Sequence, residues 1–298
     1  MNNSPSLPEN CTSYTIILPA RNEAESLVTL LPTLRKAHPT AEIILVNDAS
    51  TDETIQLAAV HNIRVVSHPY SMGNGAAVKT GARVAQSARL VFMDADGQHD
   101  VADIERLLVR LDEGYDMAIG ARSSNSQASL GRRLGNALYN RFASWMTDQS
   151  IPDLTSGFRA VKAERFREFL YLLPNRFSYP TTITMAFFRA GYPVAYVPIT
   201  AHHRIGRSHI QPLRDAIRFL LIIFKVGTLY SPMKVFLPVS VFFFLLGTEH
   251  YIYTFFSQNR FTNMDLLLYT TSVIIFMIGL VSEQVTQLLY SQRPGHNQ

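Results

Sequence analysis

Cysteine is almost missing from this chain. Cys11 is the only one in 298 residues, so no intrachain disulfide can form and a reducing compartment is allowed. Charge is also scarce: Asp, Glu, Lys and Arg make up 17%, below the usual quarter, and they thin out sharply after Lys234. No internal repeat, low-complexity tract or long linker interrupts the sequence, and 205–212 is the stretch most like a hinge. Residues 1–11 hold neither an apolar core nor a basic start, so no secretory signal is expected there. What is present is apolar. Hydrophobic residues reach 47%, ample for a core in one large domain or two. The net charge of +4 and pI near 9.2 are mild. Beside clear acidic motifs, that basic excess fits phosphate or anionic lipid better than nucleic acid.

The first half alternates strands and helices. Tyr14 to Leu18 is a β-rich run stopped by Pro19, and Glu23 to Lys36 has leucines at helical spacing, with Pro32 as a kink or break. Glu42 to Val46 is a second strand, after which Ser50 or Thr51 is placed to cap a helix running to about Val60. Ile63 to Ser67, Leu90 to Met93 and Met117 to Gly120 give three more strands, with helices from the Gly73-Asn74-Gly75 turn and from Val101 to Leu111. This alternation predicts a mainly parallel sheet covered on both faces. Each strand exit is polar or glycine-rich, the mark of a ligand edge.

The acidic run Asp94-Ala95-Asp96-Gly97-Gln98-His99-Asp100 follows one of these strands. In an extended segment Asp94 and Asp96 point to the same side and can approach one hard cation, which suits Mg²⁺ or Mn²⁺ beside a diphosphate. The alternative is a solvated turn capping the next helix. Gly75 opens a helix with room for backbone approach to phosphate. Further on, Arg122, Arg132, Arg133 and Arg141 surround a predicted helix from Leu130 to Met146, with Asp153 to Arg159 after it. Fixed cations are needed wherever two phosphates meet. Arg122, ending a strand at the ligand edge, is the first candidate for an acceptor phosphate and Arg133 the second, while Asp153 is placed to orient the acceptor or act as base. His202 and His203, adjacent on a strand, point opposite ways and do not make a metal pair.

Five ordered motifs carry a family resemblance: Pro19-Ala20-Arg21-Asn22-Glu23, Val46 to Asp52, Gly73-Asn74-Gly75, Asp94 to His99, and Ser156-Gly157-Phe158-Arg159. Over roughly residues 13–210 the chain resembles glycosyltransferase family 2, and within it the polyprenyl-phosphate glycosyltransferases, the group containing dolichyl-phosphate mannose synthase. The resemblance implies a GT-A fold and an inverting hexosyltransferase that moves a sugar from a UDP- or GDP-sugar to an undecaprenyl or dolichyl phosphate. Carried over by motif, Pro19, Ala20, Glu23 and Asp48 hold the nucleoside, and Asp94, Asp96 and Gln98 hold the metal and diphosphate. Ser156 and Arg159 join Arg122 and Arg133 at the acceptor phosphate. Arg204 and His209 stand where the family grips the diphosphate with Arg-x-x-Gly-x-Ser-Lys. Here that motif is one residue shorter, with histidine for lysine.

The last third reads as membrane. Gln211 to Leu229 has the pattern of an interfacial amphipathic helix, and two charge-poor runs follow, Val235 to Ser257 and Leu266 to Leu289, each long enough to cross a bilayer. Glu249, His250 and Glu283 are expected near the interfaces or against another helix. Basic residues crowd before the first run and only Arg260 lies between the two, so both termini and the catalytic domain are expected on the cytoplasmic side. The expected domains are a tail at 1–12, a catalytic domain at 13–210, an interfacial helix at 211–233 and a two-span anchor at 234–298; a homo-oligomer is compatible with these features. Two other readings stand beside lipid-linked transfer. One is a family 2 enzyme acting on another lipid or polysaccharide, although the Gln-x-x-Arg-Trp motif of polysaccharide synthases is missing and Trp145 is the sole tryptophan. The other is a non-catalytic membrane adaptor that keeps the fold.

Overall fold

The structure, a computed structural model, describes residues 14–122, 130–175, 178–200, 224 and 227–291, with the side chains of 130–136, 290 and 291 left aside. The chain divides into two units, Met1–His209 and Ile210–Gln298.

In the first unit one seven-stranded sheet runs in the order β3-β2-β1-β4-β6-β5-β7. Its strands are β1 (Thr15–Ala20), β2 (Glu42–Asn47), β3 (Arg64–Ser67), β4 (Arg89–Phe92), β5 (Met117–Arg122), β6 (Arg159–Lys162) and β7 (Val194–Ile199). All neighbours are parallel except β6, which runs antiparallel to both β4 and β5. Reversing twice restores direction, so β5 ends at the same edge as β1, β2 and β4. Consecutive strand residues such as Ile16, Ile17 and Leu18 are fully buried, as a sheet covered on both faces requires.

One face packs on α1 (Ala24–Ala37), through Leu27, Leu31 and Leu34, and on α4 (Asp103–Asp112), through Ile104, Leu107 and Leu111. α3 (Asn74–Val84) packs on β1 and β2, where a Cβ at Gly81 would lie 2.3 Å from Ile17 Cγ2 and 3.3 Å from Val46 Cγ2. Gly81→Ala is therefore expected to cost about 1–3 kcal/mol of stability. Thermal unfolding of the full chain in detergent measures it; an unchanged midpoint would mean that α3 shifts off β1 without penalty. The remaining helices of this unit are α2 (Thr54–Val60), α5 (Leu130–Thr147), α6 (Ala163–Arg167) and α7 (Tyr179–Arg189).

Two local expectations change. α1 continues through Pro32 instead of breaking: Pro32 is exposed, so the carbonyl its missing N–H leaves unbonded faces water. α2 begins at Thr54 without a cap from Ser50 or Thr51, whose hydroxyls bond Asn22; Asp52 Oδ1 accepts the Thr54 N–H instead.

The second unit contains α8 (Pro232–Gln258) and α9 (Asn263–Ser291). Each has 27 residues apolar enough to cross a membrane, with mean hydropathy 1.6 and 2.0. Hydrogen bonds and small residues pack the pair together. Ser240 and Ser272 each donate a hydroxyl to the other's carbonyl at 2.9 Å, and Gly279 leaves no room for a Cβ against Phe236, which would be 2.7 Å away. Two of the awkward polar residues face the opposite helix: His250 Nδ1 lies 2.7 Å from the buried Asp265, and Glu283 accepts the Met233 N–H. Glu249 is exposed. The expected interfacial helix lies mostly outside the described residues.

Candidate active site

The loops leaving β1 and β2 are tied into one surface. The Asn22 N–H donates to Ser50 Oγ at 3.0 Å, and Asn22 Oδ1 accepts the Thr51 N–H at 2.8 Å. Asp52 Oδ2 takes the Ala24 N–H at 3.0 Å, so the first turn of α1 is satisfied from the neighbouring loop. Asn22 and Ala49 both sit in the left-handed region, at φ 54° and 58°. Asn22 in the first motif is therefore the partner of Ser50 and Thr51 in the second, while Asp52 reaches Ala24 just beyond the first motif.

Asp48 ends this loop pair at the mouth. Its carboxylate accepts from His68 Nδ1 at 2.8 Å, Ser71 Oγ at 2.9 Å, and the N–H groups of Met72 and Gly73 at 2.7 and 2.9 Å. Burial alone would favour the neutral acid. The His68 bond and the two N–H donors outweigh it and hold Asp48 below its ordinary value. His68 Nε2 in turn meets Thr80 Oγ1 on α3 at 2.9 Å. Asp48 thus fixes the turn at Gly73, whose φ of 100° suits glycine, and with it the start of α3. Both of its oxygens accept protein donors, and Asp48 also borders the cleft. His68, Ser71 and Thr80 were not legible as partners because they lie on β3, a loop and α3.

Asp94 and Asp96 follow β4, but the segment is not extended. Residues 95–97 form a turn with Gly97 at φ 70°, and Asp96 Oδ1 accepts the Gln98 N–H at 3.2 Å. Both carboxylates still line one cleft of about 390 Å³, together with Pro19, Ala20, Arg21, Glu23, Asp48, Ser71, Gly73 and Asn74. Gly75 was expected to approach phosphate; it is buried in the first turn of α3, and Gly73 and Asn74 take the open positions. Gln98 is not among the described residues lining the cleft. Gly157 is needed where it stands, since a Cβ there would lie 3.0 Å from Asp94 Oδ2 and 3.2 Å from Tyr179 Oη.

At the same edge, the end of β5 carries Arg122. Its Nε donates to Asp153 Oδ2 at 2.8 Å, and its Nη2 to Asp153 Oδ1 at 3.1 Å and Thr155 Oγ1 at 2.7 Å. Burial disfavours both charges, but their mutual hydrogen bonds win: Arg122 is held above its ordinary value and Asp153 below it. Asp94 and Asp96 add to the field that keeps Arg122 charged. Nη1 makes no hydrogen bond among the described residues, leaving donors for an outside anion. His99 stacks on Phe158 at 4.7 Å, and burial lowers its pKa to about 4, so it is neutral at physiological pH.

Ser156 and Arg159, expected at the acceptor phosphate, are both buried beside the site. They are 2% and 0% exposed, and Arg159 donates to Ser156 O, Pro180 O and Thr184 Oγ1 with Tyr179 beneath it, so its guanidinium braces the loop. The side chain of Arg133, and Arg204 and His209 entirely, lie outside the described residues. Among the described residues, no group of three or more His, Cys, Asp or Glu is arranged around a metal position. The donor set in the cleft is a pair of hard carboxylates, Asp94 and Asp96, which fits Mg²⁺ or Mn²⁺ in chemical type.

A mostly parallel sheet with a carboxylate-lined cleft beyond the ends of β1, β2 and β4 defines the GT-A class of α/β fold. The chain belongs to glycosyl transferase family 2, whose profile matches residues 15–170, and a profile described as GtrB C-terminal hairpin matches residues 231–288. It is 28% identical over 224 residues to glycosyltransferase AglJ of Haloferax volcanii, covering 73% of each chain. The dolichyl-phosphate hexose transferase of the same organism is 26% identical over 209 residues, covering 67% of this chain and 90% of the relative. The polyprenol monophosphomannose synthase of Mycolicibacterium smegmatis is 30% identical over 205 residues, covering 63% and 77%. These relatives place the chain among the polyprenyl-phosphate glycosyltransferases. In fold it resembles glucosyl-3-phosphoglycerate synthase from Mycobacterium tuberculosis, with a TM-score of 0.57 at 19% identity over 72% of this chain and 78% of that one. That synthase has also been solved with Mn²⁺, uridine diphosphate and glucosyl-3-phosphoglycerate, a structure matching at TM-score 0.55 and 21% identity over 72% and 78%.

Proposed function

We propose that this protein transfers a sugar, with inversion, from a uridine or guanosine diphosphate sugar to a polyprenyl phosphate at a membrane surface. One observation carries the reading: the Asp94–Asp96 turn and the Arg122–Asp153 pair stand on β4 and β5 at a single sheet edge, one beside a nucleotide-sized cleft and the other beyond it. The relatives named for dolichyl phosphate and polyprenol, and the hairpin of α8 and α9, support the lipid acceptor.

In this reading Pro19, Ala20 and Glu23 border the nucleoside, and the start of α3 at Gly73 and Asn74 offers backbone N–H groups to phosphate. Asp94 and Asp96 hold Mg²⁺ or Mn²⁺, which when bound neutralises charge on the departing diphosphate. Arg122 orients the acceptor phosphate through Nη1, and Asp153 fixes the guanidinium plane. A phosphate monoester is already ionised at neutral pH, so positioning does more here than proton removal. The charge-poor hairpin preceded by basic residues favours a cytoplasmic catalytic domain with both termini on that side.

The test is a panel of nucleotide-sugars offered with a polyprenyl phosphate to the full chain in detergent, with the lipid product read by mass spectrometry and its anomeric configuration by NMR. One donor is expected to give a lipid-linked sugar of inverted configuration. Retention of configuration, or transfer only to acceptors lacking phosphate, would contradict the reading.

A further inference from the structure

Between the carboxylate turn and α4 stands His99, which the proposed roles leave unassigned. Its residue is 7% exposed, and its ring lies flat on Phe158, with centroids 4.7 Å apart and planes inclined by 19°. Phe158 is fully buried in the loop that joins Asp153 to β6. Its carbonyl accepts the Gly120 N–H at 2.9 Å, and a Cβ at Gly120 would lie 2.8 Å from its Cδ1, so β5 needs glycine where the ring packs, two residues before Arg122. The stack therefore runs from the turn carrying Asp94 and Asp96 to the strand carrying Arg122. Asp96, Arg122 and Asp153 all lie close enough for their charges to act on His99.

Packing alone does not call for a histidine here. A phenylalanine or leucine would fill an apolar position without bringing in a nitrogen that must be satisfied. Yet Nδ1 is enclosed and has no hydrogen-bond partner among the described residues. Three other enclosed side-chain atoms share that condition: Ser156 Oγ, Arg159 Nε and Tyr196 Oη. Ser156 and Arg159 flank Phe158, and Tyr196 is in register with Ile119, which is itself in register with Arg159. Every such atom among the described residues thus borders the one loop that follows Asp153. Native proteins hold few unsatisfied buried polar atoms, and a cluster of them points to function at that place.

We infer that His99 is a positioning residue that couples the two halves of the site: donor and cation on the Asp94–Asp96 turn draw the Asp153 loop into place, and His99 Nδ1 gains in that state the bond it lacks in the free protein. The Phe158 stack is present in both states, so it aims the ring. Only the nitrogen differs between them, and only a differing interaction shifts an equilibrium. Arg122, whose guanidinium plane Asp153 fixes, then meets the acceptor phosphate at a position set by the loaded donor cleft. The inference rests on the donor site proposed for that cleft.

Amide hydrogen exchange of the full chain in detergent, with and without Mn²⁺ and a nucleoside diphosphate (UDP and GDP in turn), reads this coupling without requiring transfer. In wild type, exchange is expected to slow at residues 94–98, where the ligand binds, and by about fivefold or more at 153–158, the low end of ordinary coupling. His99→Phe keeps a flat stack and lacks the nitrogen. In it the protection at 94–98 is expected to remain and that at 153–158 to be lost, while the thermal unfolding midpoint holds or rises. Its turnover is expected to fall roughly 10- to 100-fold with the KM of each substrate little changed, as misplacement without lost binding requires. His99→Asn gives up the ring but keeps a polar group near the place of Nδ1, so it is expected to unfold earlier than His99→Phe and yet turn over faster. A merely structural residue would give the opposite order. Protection confined to 94–98 in wild type, or a His99→Phe enzyme of wild-type turnover, would overturn the inference. No protection at 94–98 in wild type with either nucleotide would instead overturn the donor site, and the inference with it.

Discussion

Asp96→Asn is expected to lower turnover by at least ~100-fold, equivalent to about 2.7 kcal/mol of transition-state stabilisation, with the far-UV circular dichroism unchanged. The structure shows why this substitution is a clean one. Asp96 Oδ1 accepts the Gln98 N–H within the turn after β4, and an asparagine keeps that acceptor, so the turn is preserved while the charge is lost. As the sugar leaves, the diphosphate gains negative charge, and a carboxylate that fixes a cation beside it matters more then than in the ground state. Asp94→Asn is expected to impair transfer less, since the Asp94 carboxylate lies against the Gly157 backbone. An Asp96→Asn enzyme of near-normal rate would remove this edge from the chemistry.

Arg122→Ala is the second large effect, and it acts on the other substrate. The loss of one charged hydrogen-bonding partner costs roughly 1.5 to 3 kcal/mol, so the apparent acceptor affinity is expected to weaken about 10- to 150-fold while nucleotide-sugar affinity holds. A donor affinity that falls by this factor with the acceptor unaffected would contradict the assignment. The same substitution strands Asp153, a carboxylate only 4% exposed, and stability should fall as well. Its pH dependence has a definite sign. In the folded wild type Asp153 lies below its ordinary value, because Arg122 overcomes the burial that raises it. The pair therefore stabilises above the unfolded carboxylate value of about 3.9 and loses that contribution as pH falls through the lower folded value. The stability gap between wild type and Arg122→Ala is expected to be widest near neutrality and to close in acid. Removing both partners together should recover stability without recovering acceptor use, which separates the two roles.

Most of the strands were legible because buried parallel strands write long apolar runs, as in Ile16 to Leu18 and Ile43 to Val46, and their polar exits mark the ligand edge. The two long apolar helices were legible for a related reason, apolar runs long enough to cross a membrane. β6 was not, because four residues beginning with a buried arginine carry no such signal, and its reversed direction depends on pairing with β4 and β5. The site was half legible. Asp94, Asp96 and Arg122 sit where strand ends put them, and periodicity can find strand ends. The partners that decide what each carboxylate does come from distant segments: His68 and Gly73 for Asp48, Arg122 for Asp153, Gly157 beside Asp94. Ser50 and Thr51 show the same limit, since the composition of a helix cap was right but Ser50 Oγ accepts the Asn22 N–H and Thr51 donates to Asn22 Oδ1, both in the loop of a neighbouring strand.

The central claim is that the cleft beyond β4 holds a sugar donor through a divalent cation on Asp94 and Asp96. It is tested most directly by measuring transfer from nucleotide-sugar to polyprenyl phosphate in the full chain after exhaustive treatment with EDTA, and again while Mn²⁺ or Mg²⁺ is titrated back. The account predicts that transfer disappears with chelation and returns with either ion in wild type, and that Asp96→Asn recovers little of it at any metal concentration. Transfer that continues undiminished in EDTA would contradict it.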